Sequence, residues 1–282
     1  MRISIITICY NSQNSINKTI ESVKSQSFNN IEYIVIDGGS SDRTLDIVKS
    51  HKIIDKLISE KDSGIYEAFN KGIKNAKGEV IGFLNSDDIF FDEDSLSLIR
   101  ESFDENTDCV FGDLIFTDSK NRLKRVWESN PFKTGLFKRG WMPAHPTFYC
   151  KKSIYEKYGL YNESYKIAGD FELMMRFLEK HKIKSKYIPK KIVNMRVGGL
   201  SNRSIKAKFD ILIEEFRAFK ENQISVNKLF YLFHKLKKLK ELRLKFWIKT
   251  KVKWIYFYLS SPVFLQVLYL LFFFKDSFLK KT

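Results

Sequence analysis

Apolar residues in the first hundred positions fall into short blocks separated by polar clusters. Ile3–Cys9 is an apolar run ending in Tyr10-Asn11-Ser12, and behind it Ile16, Ile20 and Val23 recur at helical spacing. Ile31–Ile36 predicts a second strand, stopped by Asp37-Gly38-Gly39-Ser40-Ser41-Asp42, with Leu45 and Val48 marking the next helix. A weaker strand over Lys56–Ser59 leads into Glu60-Lys61-Asp62-Ser63-Gly64. Ile65, Phe69, Ile73 and Ala76 then share one stripe, and Gly78 ends that helix before a buried strand from Val80 to Leu84. Short apolar runs bounded by turn formers are strands, and the 3.6-residue period marks helices. Their alternation predicts an α/β fold: a Rossmann-like, mostly parallel sheet flanked by helices.

Ligands of such sheets bind beyond the carboxyl ends of the strands. Thr7, Tyr10 and Asn11, then Asp37, then Asp62, then Asp87 and Asp88 all occupy such ends. The Val80 strand runs straight into Asn85-Ser86-Asp87-Asp88, and adjacent carboxylates repel each other. A divalent metal held by oxygen ligands, its shell completed by a diphosphate, suits these residue types. An Asx turn capping the helix that starts near Ser95 accounts for them equally well. A carboxylate accepts the ring N–H of a uracil or a ribose hydroxyl, and an aromatic ring stacks on a base. Asp-Gly-Gly-Ser permits tight backbone geometry. It is not GxGxxG, which disfavours a dinucleotide pocket.

The remainder of the chain is less regular. Phe111-Gly112-Asp113-Leu114 and Arg125-Val126-Trp127 alternate like strands that close the sheet. In Trp141-Met142-Pro143-Ala144-His145-Pro146, the two prolines fix an extended loop around His145. That histidine is either a structural hydrogen-bonder or a ligand contact. Ile167-Ala168-Gly169-Asp170-Phe171-Glu172 opens a helix whose stripe is Phe171, Met174 and Leu178. Asp170 is placed to cap it, or to act as a general base. Arg196-Val197-Gly198-Gly199-Leu200-Ser201-Asn202-Arg203 is a basic loop, either a lid over a diphosphate or a linker.

The net charge of +16 changes the picture by calling for an anionic partner. At 282 residues the chain has room for one large domain, expected over 1–204, and an appendage over 205–282. In the appendage Phe209, Leu212, Phe216 and Phe219 share a helix face. Leu229, Leu232, Leu236, Leu239, Leu242 and Phe246 then repeat opposite Lys235, Lys238, Lys240, Lys245 and Lys249, a basic amphipathic pattern. Residues 254–274 carry no charge and lie between Lys253 and Lys275. Their length permits a membrane span, whereas Ser260-Ser261-Pro262 favours a bent, interfacial arrangement. Either way an anionic membrane surface is the expected partner, with the basic side cytoplasmic. No nucleic-acid module is recognisable. Cys9, Cys109 and Cys150 show no CxxC pairing and suit reduced core thiols. The N-terminus enters strand pattern directly, without the layout of a secretion signal.

Four stretches together carry a resemblance: Thr7-Ile8-Cys9-Tyr10-Asn11, Asp37–Asp42, Glu60–Gly72 and Phe83–Asp88. In order and spacing they resemble family 2 glycosyltransferases over roughly residues 1–200. The resemblance implies a GT-A fold, a nucleoside-diphosphate-sugar donor, with UDP the expected nucleotide, and an inverting transfer assisted by Mn2+ or Mg2+. It implies that Asp37 and Asp62 hold the nucleoside, in a nucleotide site also expected to involve Thr7, Tyr10, Asn11 and Lys71. Asp87 and Asp88 stand in the metal–diphosphate motif, with Asn85 where many members carry another Asp. Asp170 corresponds to the catalytic base, with Gly169 replacing the usual Glu and Arg43 a usual Gly. His145, Trp141 and Glu172 are candidate contacts to donor or acceptor sugar, and Arg196 and Arg203 to the diphosphate. No Gln-x-x-Arg-Trp follows Asp170, which by resemblance argues against a processive synthase. The expected activity is therefore single-sugar transfer to a lipid-linked or surface-glycan acceptor, at the cytoplasmic face of a bacterial inner membrane. A nucleotidyltransferase would be expected to carry a glycine- and lysine-rich phosphate loop, which Thr7–Ser12 lacks. An inert membrane adaptor would have no need of the full carboxylate set.

Overall fold

The structure is a computed structural model that describes residues 1–118, 120–197 and 205–247. A nine-stranded mixed sheet forms its centre. Strands β1 (Ile3–Cys9), β2 (Ile31–Asp37), β3 (Lys56–Ser59) and β4 (Val80–Phe83) are laid down as anticipated, with α1 (Ile16–Lys24), α2 (Thr44–Ser50) and α3 (Ile65–Asn75) between them. Their pairings β2–β3, β1–β2 and β1–β4 are all parallel. Ile3, Ile5, Ile34, Val35, Val80 and Ile81 are essentially inaccessible to solvent, because parallel strands are covered on both faces.

Beyond β4 the sheet departs from the mostly parallel expectation. Strands β5 (Ile89–Phe90), β6 (Cys109–Thr117), β7 (Leu123–Trp127), β8 (Tyr149–Lys151) and β9 (Ser185–Arg196) complete the order β3-β2-β1-β4-β8-β6-β9-β5, with β7 paired to β6. Pairs β4–β8, β6–β8, β6–β7 and β5–β9 are antiparallel, and β6–β9 is parallel. The short β8 joins the two halves, contacting β4 at Ile81↔Cys150 and β6 at Cys109↔Cys150. Three residues bounded by a turn and a helix are too few for an alternation signal, so β8 escapes a pattern reading.

A close approach makes that junction possible. Gly82 on β4 has no side chain because the ring of Tyr149 on β8 fills the space; a Cβ there would lie 1.9 Å from Tyr149 Cε1. Tyr149 is fully buried, and its hydroxyl has no hydrogen-bond partner among the described residues. The three cysteines are buried free thiols.

Helices α4 (Ser95–Ser102), α5 (Lys152–Tyr158) and α6 (Gly169–Met175) flank the sheet, and α6 continues as a π-helical turn over Arg176–Lys180. The compact unit does not end at residue 204: it extends to Lys228 and includes α7 (Ile205–Glu221). Phe219 packs edge-on against Phe171 at 5.5 Å, and Asn222 donates to Glu172 at 3.0 Å, so α7 is part of the first compact unit. Phe209, at the other end of the expected apolar face, is half exposed. A second unit starts at Leu229 and contains most of α8 (Lys228–Trp247), along which Leu229, Phe233 and Leu236 are exposed. Among the described residues no helix is long and apolar enough to cross a membrane, and the uncharged 254–274 stretch lies outside them.

Replacing Gly82 with Ala should destabilise the protein by at least about 1–3 kcal/mol through overpacking. Tyr149→Phe, which removes an orphaned hydroxyl and keeps the ring, should be neutral or stabilising by about 1 kcal/mol. Chemical denaturation of both variants checks the pair.

Candidate active site

The loop after β4 is shaped by backbone bonds. Asp88 N–H donates to the Asn85 carbonyl at 3.0 Å, closing a turn, and the Thr19 hydroxyl on α1 donates to the Asp88 carbonyl at 2.7 Å. Ser12 and Ser86 hydroxyls meet at 2.9 Å, tying the loop to the end of β1. Helix capping does not explain the aspartates, because β5 intervenes and the residue preceding α4 is Asp94. Asp88 is fully buried, and neither carboxylate oxygen has a hydrogen-bond partner among the described residues. Asn85 Oδ1 is likewise buried and unpartnered. Burial, joined by repulsion from Asp87, pushes the Asp88 carboxyl well above its ordinary range, and only the nearby Arg196 amide opposes this. Burial also raises Asp87, while the Arg196 side chain pulls it back. Unpartnered oxygens on Asn85 and Asp88, beside a second carboxylate, form a donor set that fits a hard divalent cation. Among the described residues no group of three or more His, Cys, Asp or Glu side chains forms a cation cage, so further ligands would have to come from elsewhere.

A cleft of about 340 Å³ opens beside the ends of β1 and β2, lined by Tyr10, Gly38, Gly39, Lys61, Asp62, Ser63 and Gly64. Tyr10 presents an exposed ring there, and Asn11, in the left-handed region at φ 48°, ties its Oδ1 to the Ser41 amide at 2.9 Å. A Cβ at Gly38 would lie 2.7 Å from Asp62 Oδ2 and 3.6 Å from Tyr10 Cδ2. The absent side chain is what lets the Asp62 carboxylate approach this floor. Burial raises the Asp62 pKa, with Lys71 opposing and Glu67 adding to it.

Four residues expected at the site are occupied otherwise. Asp37 is fully buried, and its oxygens accept from Gly39 N–H at 3.1 Å, Ser40 N–H at 3.0 Å and the Ser59 hydroxyl at 2.7 Å. It shapes the glycine loop. Thr7 is also inaccessible; its hydroxyl donates to the Leu84 carbonyl at 2.7 Å and meets Tyr33 at 3.1 Å, bracing β1. Lys71 bridges Glu60 at 3.0 Å and Glu67 at 2.9 Å, so its charge stabilises the 60–67 loop. Glu172 is buried, paired with Arg176 at 2.8 Å and bonded to Asn222. Each departure has one cause: a polar side chain taken out of water is retained where internal partners satisfy it.

Asp170 lies in the first turn of α6. Burial raises its pKa, while the His145 ring and a hydrogen bond from the Tyr161 hydroxyl lower it. The Pro-flanked turn therefore places His145 within electrostatic reach of Asp170, although they are far apart in sequence. Trp141 belongs to an aromatic cluster, 6.0 Å from Phe111 and 5.5 Å from Phe137, with its indole N–H bonded to the Ser129 carbonyl. The β4 end and Asp170 are joined by one ring: Phe83 contacts Tyr161 at 5.9 Å. Tyr161 was invisible to motif reading, since it sits in an irregular segment; Tyr66 lay inside a quoted motif without an assigned role. Arg203 lies outside the described residues.

A parallel nucleotide-binding half joined to a mixed half, with carboxylates at the strand ends, is the GT-A glycosyltransferase fold. Residues 4–162 match the profile of glycosyl transferase family 2, and the chain belongs to that family. It is thus a glycosyltransferase. A PGL/p-HBAD biosynthesis glycosyltransferase of Mycobacterium bovis is 27% identical over 197 residues, covering 67% of this chain and 75% of that protein. An uncharacterized glycosyltransferase of Mycobacterium tuberculosis is 32% identical over 181 residues, covering 62% and 68%. Among solved structures, S. aureus TarS 1–349 superimposes with a TM-score of 0.61 at 18% identity, over 90% of this chain and 76% of that one. A mannosyltransferase from Pyrobaculum calidifontis, in complex with GDP-Man and Mn2+, gives 0.57 at 14% identity, over 86% and 75%.

Because the fold raises the Asp88 pKa, the metal-free native state binds that proton more tightly than the unfolded chain. Stability is therefore lost as pH rises above the ordinary carboxylate range. In EDTA at pH 8, Asp88→Asn should raise the melting temperature, by roughly 2–4 °C per kcal/mol relieved. Calorimetry of both proteins between pH 5 and pH 8, on the order of a three-unit span, should show the gain shrinking toward acid.

Proposed function

We propose that this glycosyltransferase moves one sugar, with inversion, from a UDP-sugar to a hydroxyl of a lipid-linked or surface-glycan acceptor. The observation that carries the reading is a pair of unlike carboxylates: Asp88 beyond β4, buried without partners among the described residues, and Asp170 at the start of α6, its ionised form favoured by His145 and Tyr161. The first suits a cation and a diphosphate; the second suits proton removal. The nucleoside would lie in the cleft between Tyr10 and Asp62, its ring on the tyrosine and its N–H or ribose hydroxyls on the carboxylate. Asn85, Asp87 and Asp88 would hold Mn2+ or Mg2+. Bound there, the ion would neutralise charge gathering on the departing diphosphate. Arg196, near Asp87, would add positive charge on the same side. Asp170 would take the acceptor proton as its oxygen attacks the anomeric carbon opposite the nucleotide. His145 is placed to steady the ionised form of Asp170 or to meet a sugar hydroxyl.

Relatives and neighbours support the substrate class. The mycobacterial relative is named for PGL/p-HBAD biosynthesis, and TarS has been crystallised with UDP and with UDP-GlcNAc. For the acceptor side, α8 exposes Leu229, Phe233 and Leu236 in a segment that also carries Lys235 and Lys237. That combination suits an anionic membrane surface, where a lipid-linked acceptor resides. The site of action would be the cytoplasmic face of a bacterial inner membrane.

Titration calorimetry with UDP should show binding that strengthens at least about tenfold on adding Mn2+, a gain of about 1.4 kcal/mol, and Asp88→Asn should abolish the gain. Binding indifferent to metal in both proteins would exclude the cation role. Asp170→Asn should keep UDP affinity within about twofold while lowering turnover by about 10²–10⁴, measured on a panel of UDP-sugars with bacterial lipid extract as acceptor. Removing residues 228–282 should abolish sedimentation with phosphatidylglycerol vesicles at low salt; unchanged partitioning would refute the membrane role.

A further inference from the structure

We infer that Tyr66 and Tyr161 are positioning residues for Asp170, a stacked pair of phenols that replaces the side chain missing at Gly169. The inference rests on Asp170 being the general base. Gly169 is the first residue of α6, and a Cβ on it would lie 2.6 Å from Tyr66 Cζ and 2.7 and 2.8 Å from the adjoining ring carbons. The space a family-typical glutamate would need is thus filled by a ring from α3. Tyr66 is 3% exposed, and its hydroxyl accepts the Gly169 N–H at 2.8 Å. Its ring stacks on Tyr161 at 5.5 Å with an interplanar angle of 15°. Tyr161 is itself clamped by Asn70 of α3, which accepts its N–H at 3.0 Å and donates to its carbonyl at 2.9 Å. From this fixed backbone the Tyr161 hydroxyl acts on the Asp170 carboxylate and favours its ionised form.

The segment entering α6 has no side-chain cap of its own. Glu214 of α7 accepts the N–H groups of Lys166, Ile167 and Ala168 at 2.8, 2.9 and 2.7 Å. Tyr66 takes the next amide. Four consecutive donors ahead of Asp170 are therefore held by side chains of other helices, which fixes where its carboxylate emerges. Packing alone would be served by phenylalanine at 66 and 161. Each hydroxyl, however, has a partner in the segment that begins α6: the Gly169 amide and the Asp170 carboxylate.

The titratable groups acting on this region are His145, Tyr161, Tyr66, Tyr155 of α5 and Glu214. Of these, His145 and Tyr161 favour the ionised carboxylate against the cost of burial. Deleting the Tyr161 hydroxyl removes one such contribution, so Asp170 must hold its proton to higher pH.

The test uses the full chain labelled with 13C at aspartate carboxyls, the Asp170 resonance being identified by its loss in Asp170→Asn. Tyr161→Phe should raise the Asp170 midpoint by about one pH unit, with a melting temperature close to the parent's. In the unsubstituted protein the Tyr161 ring carbons should report the same midpoint as Asp170, a check that needs no variant. Tyr66→Phe should speed hydrogen exchange of the Gly169 amide at least about tenfold, as expected when a buried donor loses its acceptor. An unmoved Asp170 midpoint in Tyr161→Phe, or an unchanged Gly169 exchange rate in Tyr66→Phe, would overturn the inference. If both shifts occur yet Asp170→Asn retains full turnover, the hydroxyl pair stands and the general-base reading fails.

Discussion

A carboxylate stays buried and unpaired only where the surrounding backbone is held by something other than that carboxylate. Asp88 meets this condition. Its own carbonyl is bonded to Thr19 of α1, its amide closes a turn onto Asn85, and Ser86 is tied to Ser12. The loop is fixed by neutral contacts, so the charge is left available and its desolvation cost is carried by the packed parallel strands beneath it. Rigidity in this loop comes from the helix and strands, and the ionisable oxygens are left without protein partners among the described residues.

Asp37 follows the opposite course. Its carboxylate accepts from Gly39, Ser40, Ser59 and the Cys9 thiol, and the resulting loop leaves Gly38 bare. Asp62 then occupies the space beside Gly38 and Tyr10. One carboxylate builds the cleft and another lines it. Glu67 and Lys71 hold the segment carrying Asp62; bonds from Ser63, with Lys71 alongside, keep the Glu67 carboxyl down at about 2.

Helix α3 links the two halves. Its outer face orders the 60–67 loop through Glu67 and Lys71, while its buried face supplies Asn70 and Tyr66 to the Tyr161 and Gly169 backbone. A single amphipathic element thus sets both the cleft beside Asp62 and the start of α6. The substitution of glycine at 169, which looks like a loss within the motif, is matched by a ring packed in its place.

Much of this was legible along the chain. The four parallel strands, their helices and the aspartates at their ends follow from alternating apolar runs and turn formers, because local periodicity and strand termini are properties of neighbouring residues. The positions of Asp88 and Asp62 at strand ends follow from those grounds. The sequence by itself could not distinguish Asp37, which is consumed internally, from Asp62, which is not, since both are acidic residues at a strand end. Nor could it supply β8, the inclusion of α7 in the catalytic body, or the meeting of His145, Tyr161 and Asp170. Those were decided by tertiary structure: which oxygen is satisfied and which is spared depends on partners brought close only when the sheet closes and α3 packs across it.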